Sequence, residues 1–564
     1  MFAKKRVLTG VMAGILAAAM LFTACTPTNN AGTGSTAGGD NGSAGTNPTT
    51  VQYPGTADAD SVTVNLGTEP PDMCSITTQD AQSFNLIRHL MEGMVTLDEN
   101  DNVQPGVAES WEISEDQKTY TFHLRNDFTW TNGEKVTAND FKFAWISLLN
   151  PDFAASYAYF GYVFKNGQAY NEGKAKAEDV GITVVDEYTL KVELENVTSY
   201  FLSQLAFGVF MPVNEKAYTE FGDKYATDAD KIVTNGPYKM ESWQHESEIV
   251  LVKNDAYPKA ADVKIPKIKW VMVKDTNTKM NMFKSNELDM CEVNGDEAAA
   301  LKAENWTVNT YDDGSVWYLA YECNDKFLKN ANLRKAITLC IDSESFVTNV
   351  VKNSSRPATQ FVPLTVNGNK DKFATEVGPQ FKSHDTEGAK AALAEAMKEL
   401  NVTDAKQIEV SLMTDDTTAA TKYSAYLQEN IASELGITVK VETMPFKSRI
   451  ARMNEHDFSI VMAGWSPDYN DPMTYLDMFV TGGGNNNGEY SNARYDELIA
   501  KAQTETDRDK RFEYLMECEK ILMTDFPIGP YYYRAQDFVT SAKLKGVVRT
   551  AFQDINLCGA EIVK

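Results

Sequence analysis

Tyr423-Ser-Ala-Tyr-Leu-Gln-Glu-Asn-Ile-Ala-Ser-Glu-Leu435, followed by Gly436 and then by Ile437-Thr-Val-Lys-Val441, is the stretch whose reading decides the fold class. Its first part has the periodicity of a helix, the glycine stands where a helix ends in left-handed backbone, and apolar and polar residues then alternate as in a half-buried strand. A helix that stops on glycine and leads straight into a strand implies α/β units. Outward from it, Leu333 to Cys340, Ala389 to Leu400, Tyr495 to Ala502 and Phe512 to Leu522 predict further helices, the last closed by Pro527. Tyr120 to Arg125, Thr189 to Leu194, Ile249 to Val252 and Ile268 to Val273 predict strands. Thr137-Ala-Asn-Asp140 is a helix start; Phe141, Ala144, Trp145, Leu148 and Leu149 share one face of that helix and Pro151 ends it. After Pro527 the reading is a Pro/Tyr-rich loop and two short apolar strands. No internal repeat is evident.

The 564 residues are 43% hydrophobic and 11% aromatic, enough for several domains with sizeable cores. With 53 Lys and Arg against 79 Asp and Glu the net charge is −26, which repels nucleic acid and anionic lipid. The reading therefore has no nucleic-acid partner. Lys4, Lys5 and Arg6 precede the apolar run Val7 to Phe22, which ends in small residues, so residues 1–24 read as an export signal. That run is shorter than the roughly 20 apolar residues of a membrane-spanning helix. Leu21-Phe22-Thr23-Ala24-Cys25 resembles a bacterial lipobox, departing from it at Phe22, where leucine is usual. The resemblance implies cleavage before Cys25 and a diacylglyceryl group on its sulfur; the plainer alternative is a cysteine that happens to follow a cleaved signal. Two or more acyl chains suffice for stable anchoring at ~0.8 kcal/mol per buried methylene. Thr26 to about Thr50, almost entirely Thr, Asn, Gly, Ser, Ala and Pro, is a flexible spacer.

The remaining cysteines, Cys74, Cys291, Cys323, Cys340, Cys518 and Cys558, show no C-x-x-C spacing; they suit either disulfides or buried free thiols. There is no G-x-S-x-G, H-E-x-x-H, Walker-type or dinucleotide motif. The five histidines, His89, His123, His245, His384 and His456, lie far apart and suggest neither a general base nor a metal set. Gly482-Gly-Gly-Asn-Asn-Asn-Gly488 is not followed by a Lys-Ser/Thr helix and reads as a mobile surface loop, not a phosphate cradle. A large chain with no nucleophile–base pair points to binding rather than catalysis, with no cofactor.

Several stretches, in order, resemble the oligopeptide-binding proteins of bacterial oligopeptide permeases, within solute-binding protein family 5, over roughly residues 60 to 564. They are Ala108-Glu-Ser-Trp-Glu112, Tyr120-Thr-Phe-His-Leu-Arg125, Trp130-Thr-Asn-Gly133, Val136-Thr-Ala-Asn-Asp-Phe141, Ile232-Val-Thr-Asn-Gly-Pro-Tyr238, Gly464-Trp-Ser-Pro-Asp-Tyr-Asn-Asp-Pro472 and Asp525-Phe-Pro-Ile-Gly-Pro-Tyr531. The resemblance implies an α/β, bilobed periplasmic-binding-protein-like fold of type II, closing about a hinge. It would have three domains: domain I from 58–84, 200–315 and 526–564, domain II at 85–199 inserted in it, and domain III at 316–525 as the second lobe. These would follow the lipidated linker, residues 25–57. It further implies a monomer on the outer face of the cell membrane that captures short peptides and delivers them to an ABC permease.

In relatives the aspartate of the Gly464–Pro472 motif pairs with the peptide α-ammonium, which places Asp468 in that role; one carboxylate serves every peptide because all share that terminus. Read without the resemblance, Asp468 is a turn or capping carboxylate before it is a ligand residue. Gly464 and Ser466 would offer backbone groups to an extended peptide, and Trp465 either walls the pocket or belongs to the core. Thr77-Thr-Gln-Asp-Ala81 aligns with a strand that the family uses to bond peptide backbone, which implicates Gln79 and Ala81, although Met73-Cys-Ser75 replaces the family's Leu-Asp-Pro. Tyr157 and Tyr159 fall where the family puts pocket tyrosines, or are ordinary core. Relatives also bind nickel complexes, haem, opines and sugars, so these remain alternatives, as do, from another class, a surface-anchored hydrolase or an adhesin.

Overall fold

One mixed sheet runs through the computed structural model, which describes residues 53–78 and 80–563. Its strands lie in the order Thr438–Met444, Glu409–Asp415, Ile460–Trp465, Asn309–Tyr321, Ile528–Thr540, Met290–Val293, Ser61–Asn65, Lys267–Val271, Glu248–Lys253 and Tyr238–Gln244. Asn309–Tyr321 and Ile528–Thr540, thirteen residues each, are antiparallel neighbours at the centre. Each half of the sheet pairs with a different end of this pair. Met290–Val293 pairs with Asp537 to Thr540, whereas Ile460–Trp465 pairs with Val316 to Tyr321. Between those ends the register breaks, from Asp312–Ala535 to Val316–Tyr533. Gly314 sits in the break at φ +73°, a conformation that glycine adopts without steric cost.

The two halves bury separate cores. One contains Val62, Phe141, Trp145 and Trp270 and extends over a second, four-stranded sheet, Ala108–Ile113, Thr119–Leu124, Thr189–Glu193 and Ile182–Asp186. The other half has two clusters, one around Phe361, Tyr475 and Phe512, the other around Leu333, Ile337 and Leu427. Two lobes with separate cores, joined by a pair of continuous strands, are built to rotate about that pair.

The elements read from the sequence are present. Thr418–Leu435 is helical, Gly436 ends it at φ +69°, and Thr438–Met444 follows as a strand. Ala138–Leu149 starts with a capping box, in which Asp140 accepts from the Thr137 N–H at 2.8 Å. The four other helices extend over Ala331–Cys340, Thr386–Glu399, Ala493–Thr504 and Arg508–Asp525.

Three local readings are corrected. The Pro/Tyr-rich loop after Pro527 is the central strand Ile528–Thr540; its proline, Pro530, is accommodated where the register slips between Trp317 and Tyr318. The described residues of the 77–81 stretch form no strand, and Asp80 caps the helix Ala81–Leu90 by accepting from the Ser83 N–H. The linker expected through residue 57 ends sooner. The Tyr53 ring lies 4.0 Å from that of Trp306, and Thr56 is held by Asp289 at 2.7 and 2.9 Å. The export signal, Cys25, the spacer to residue 50 and Gln79 lie outside the described residues. Among the described residues no helix is long and apolar enough to cross a membrane, and the six cysteines are free thiols, four of them buried. The Gly482–Gly488 loop is held by Asn486, which donates to Val480 O and Tyr490 O and accepts from the Tyr490 N–H.

Candidate functional site

The strand Ile460–Trp465 delivers the Gly464–Pro472 segment to the face between the lobes, where contacts of the segment and of nearby Tyr475 hold it. The Ser466 hydroxyl meets that of Ser315 at 2.8 Å, and the Tyr475 hydroxyl donates to Gly314 O at 2.7 Å. Pro467 lies so close to Gly314 that a Cβ on that glycine would stand 2.7 Å from its ring. Behind the turn, buried Asp471 receives both Nη groups of Arg511 at 2.8 Å and braces the turn itself by accepting from the Met473 N–H at 2.9 Å. The turn-holding carboxylate that this composition suggests is therefore Asp471.

Asp468 is left free of that role. Two cavities, of about 400 and 420 Å³, meet at Asp468 and Tyr469, which line both. Each falls in the roughly 300–1,000 Å³ range of small-ligand sites. Among the described residues the Asp468 carboxylate has no ion pair and accepts no hydrogen bond, and burial pushes its pKa up to about 6. Nearby Asp477 is pushed up to about 7 by burial and by the charges of Asp468 and Asp471. The Tyr157 and Tyr159 hydroxyls are likewise held above the usual phenol range, by burial and then by the charge of Asp468. In the first cavity neither Asp468 nor Asp477 is paired with a cation among the described residues, and both lie among the rings of Tyr159, Tyr200, Trp465 and Tyr469. Such a wall suits an ammonium or guanidinium.

The second cavity is more apolar and carries cations. The Arg88 Nη2 donates to Phe552 O at 2.9 Å, its Nε has no partner, and no carboxylate among the described residues pairs with it. Arg534 in the same wall is paired with Asp313. A free carboxylate and an unpaired guanidinium on the walls of one cavity complement a zwitterion.

The residues expected from sequence divide as follows. Asp468 faces both cavities, Trp465 and Tyr159 the first, and Ser466, Ala81 and Tyr157 the second. Gly464 lines neither; it pairs with Trp317 in the sheet. On its other edge Ile460–Trp465 pairs with Glu409–Asp415 only at Ile460 and Val461, so Met462 to Trp465 has no strand partner there. Sequence reasoning missed Asp477, Arg88, Arg534 and Tyr200. Only Asp477 had a local signal, a second acid nine residues along from Asp468.

Tyr200 of the first lobe stacks flat on Tyr469 of the second, with centroids 4.0 Å apart and planes 8° from parallel. An aromatic pair is worth about 0.5–1.5 kcal/mol beyond its buried area. If it holds the lobes closed, Tyr200→Ala will weaken ligand affinity roughly 2- to 12-fold through faster release, with little change in melting temperature. Equal affinity and release rate in stopped-flow displacement would assign the stack no part in closure.

The model of bacterial extracellular solute-binding proteins, family 5, matches residues 102–487. The dipeptide-binding protein DppE of Bacillus subtilis is 34% identical over 479 residues, 85% of this chain and 88% of that protein. The oligopeptide-binding protein OppA of the same organism is 35% identical over 495 residues, 86% of this chain and 89% of that one. Among solved structures, Listeria monocytogenes OppA bound to peptide superposes with a TM-score of 0.73 at 33% identity, covering 90% of this chain and all of that one. The substrate-binding domain of an oligopeptide ABC transporter from Bacillus anthracis does so with a TM-score of 0.73 at 34% identity and the same coverage. The fold is the bilobed type II solute-binding fold, and the chain belongs to the bacterial extracellular solute-binding proteins of family 5.

Proposed function

We propose that this protein binds short peptides between its two lobes and passes them to an ABC importer. The observation that carries this reading is the Asp468 carboxylate, held in the interlobe cavities with no cation of its own while Asp471, three residues on, holds the turn. The peptide's α-ammonium pairs with Asp468, its backbone passes the strand end at Trp465 and Ser466, which line the first and second cavities, and Arg88 receives carboxylate or carbonyl oxygen. Backbone and terminal contacts read no side chain, so one site accepts many sequences, with water filling the space around small side chains. Gln79, Ala81, Trp465, Ser466 and Tyr157 complete the contacts. The protein acts as a monomeric binding protein, not an enzyme, needs no cofactor, and is held at the outer face of the cell membrane by lipid on Cys25. Residues 58–84, 200–315 and 526–564, with 85–199 inserted, form the first lobe, and 316–525 the second. The names of the Bacillus and Listeria relatives, which bind dipeptides and oligopeptides, support the same ligand class.

The pH dependence of affinity tests it. Because Asp468 titrates near 6 when free and an ammonium partner lowers that value, affinity for trialanine should be greatest near pH 7, fall up to tenfold per unit below about pH 6, and fall again above about pH 8 as the peptide's α-ammonium loses its proton. Affinity that is constant, or rises, from pH 7 to 5 contradicts the pairing.

A further inference from the structure

A second constellation lies in the second lobe, away from the cleft. Glu322 follows the end of the crossing strand Asn309–Tyr321, roughly 20 Å along the chain's extended path from Ser315 at the ligand site. His456 is in the turn after the helix Phe446–Asn454, and Glu489 follows the glycine–asparagine loop. One donor atom from each of these three residues lies within 4.8 Å of the other two. A divalent ion held at 2.0–2.2 Å from each donor leaves donors about 3.3–4.4 Å apart, so small side-chain rotations close the gap.

Each donor is already oriented. The His456 Nδ1 is 2.8 Å from Asn487 O; a carbonyl only accepts, so Nδ1 carries the proton and the Nε2 lone pair is available. Asn324 holds both acids: its N–H donates to Glu322 Oε1 at 2.9 Å and its side-chain amide to Glu489 Oε2 at 2.8 Å. The glycine–asparagine loop is clamped to the strand end by Gly488, whose O accepts from the Cys323 N–H at 2.8 Å and whose Cβ, if present, would stand 2.3 Å from Tyr321 O.

The independent sign of a missing partner is Glu322. It is only 5% exposed, and its Oε2 is buried with no hydrogen-bond partner among the described residues. A buried carboxylate oxygen left unpaired is costly unless something positive meets it. Among the described residues the one Lys or Arg in the surrounding depression, Arg452, is engaged by Glu442 at 2.7 Å and Asp457 at 2.8 Å. Asp325 and Asp457 add further negative charge to the depression.

We propose that Glu322, His456 and Glu489 form a site for a divalent transition-metal ion, best suited to zinc, that ties together three segments of the second lobe. One imidazole and two carboxylates are a borderline-to-hard donor set with room for water in the remaining position. The donors come from three distant stretches of chain, which is why no ligand spacing is visible in the sequence.

The test is zinc chloride titrated calorimetrically into the chelator-treated full-length protein, with melting temperature measured alongside. One zinc per chain is expected, with a higher melting temperature when zinc is present. His456→Ala removes an exposed ligand and should bind zinc at least about tenfold more weakly, yet melt as the parent does without zinc. Asp468→Ala should bind zinc as the parent does, which separates this site from the peptide cleft. No saturable zinc binding, or binding undiminished in His456→Ala, would overturn the proposal.

Discussion

Asp468→Ala is expected to bind a free-amine tripeptide at least about 30-fold more weakly than the parent, because truncating one partner of a buried charge pair costs about 2–5 kcal/mol. The companion result concerns stability and has the opposite sense. The carboxyl is raised to about 6 by burial alone, so the folded state binds its proton more tightly than the unfolded state, and above about pH 4 its ionisation works against folding. Removing it should leave the melting temperature of the ligand-free protein at pH 7 unchanged or higher. A structural aspartate behaves the other way: its loss lowers stability and affinity together. Asp468→Asn keeps the shape and removes the charge, so it should resemble alanine in affinity.

Arg511→Ala should show the reverse pattern and the larger loss of stability. Arg511 is 4% and Asp471 6% exposed; their two bonds of 2.8 Å lie behind the ligand-facing turn, and the Arg511 Nε also donates to Ala502 O at 3.0 Å. Leaving Asp471 charged, buried and unpaired costs about 3–5 kcal/mol. At about 2–4 °C per kcal/mol for a melting unit of 150–250 residues, the second lobe should melt roughly 10 °C lower. Because the deficit is the stranded charge, Arg511→Met combined with Asp471→Asn should lose less than the two single changes summed. A drop of under about 1 kcal/mol in chemical denaturation for Arg511→Ala would show that the pair does not hold the turn.

These two carboxylates, three residues apart in one turn, show what the sequence could and could not reveal. Ser-Pro-Asp-Tyr-Asn-Asp-Pro announces a turn held by a carboxylate, and such a turn is what forms, but composition cannot say which aspartate holds it. Only the position of Arg511, forty residues on, leaves Asp468 free for the cleft. The helices ending at Leu149 and Gly436 were legible because their caps and periodicity are local. The strand Ile528–Thr540 was not, since Pro530 and its aromatic neighbours read as a loop until Asn309–Tyr321 supplies the slipped register that tolerates a proline. Likewise Arg88, Tyr200 and Arg534 enter the site only through tertiary placement and have no motif of their own.

The most direct test of the central claim is calorimetric titration of ligand-stripped protein with trialanine and with its amino-acetylated form. Saturable binding of the free amine at one site, lost or weakened at least about 30-fold on acetylation, is the result predicted for an ammonium held by Asp468. Equal binding of the two forms would contradict that grip, and binding of neither would contradict the peptide reading.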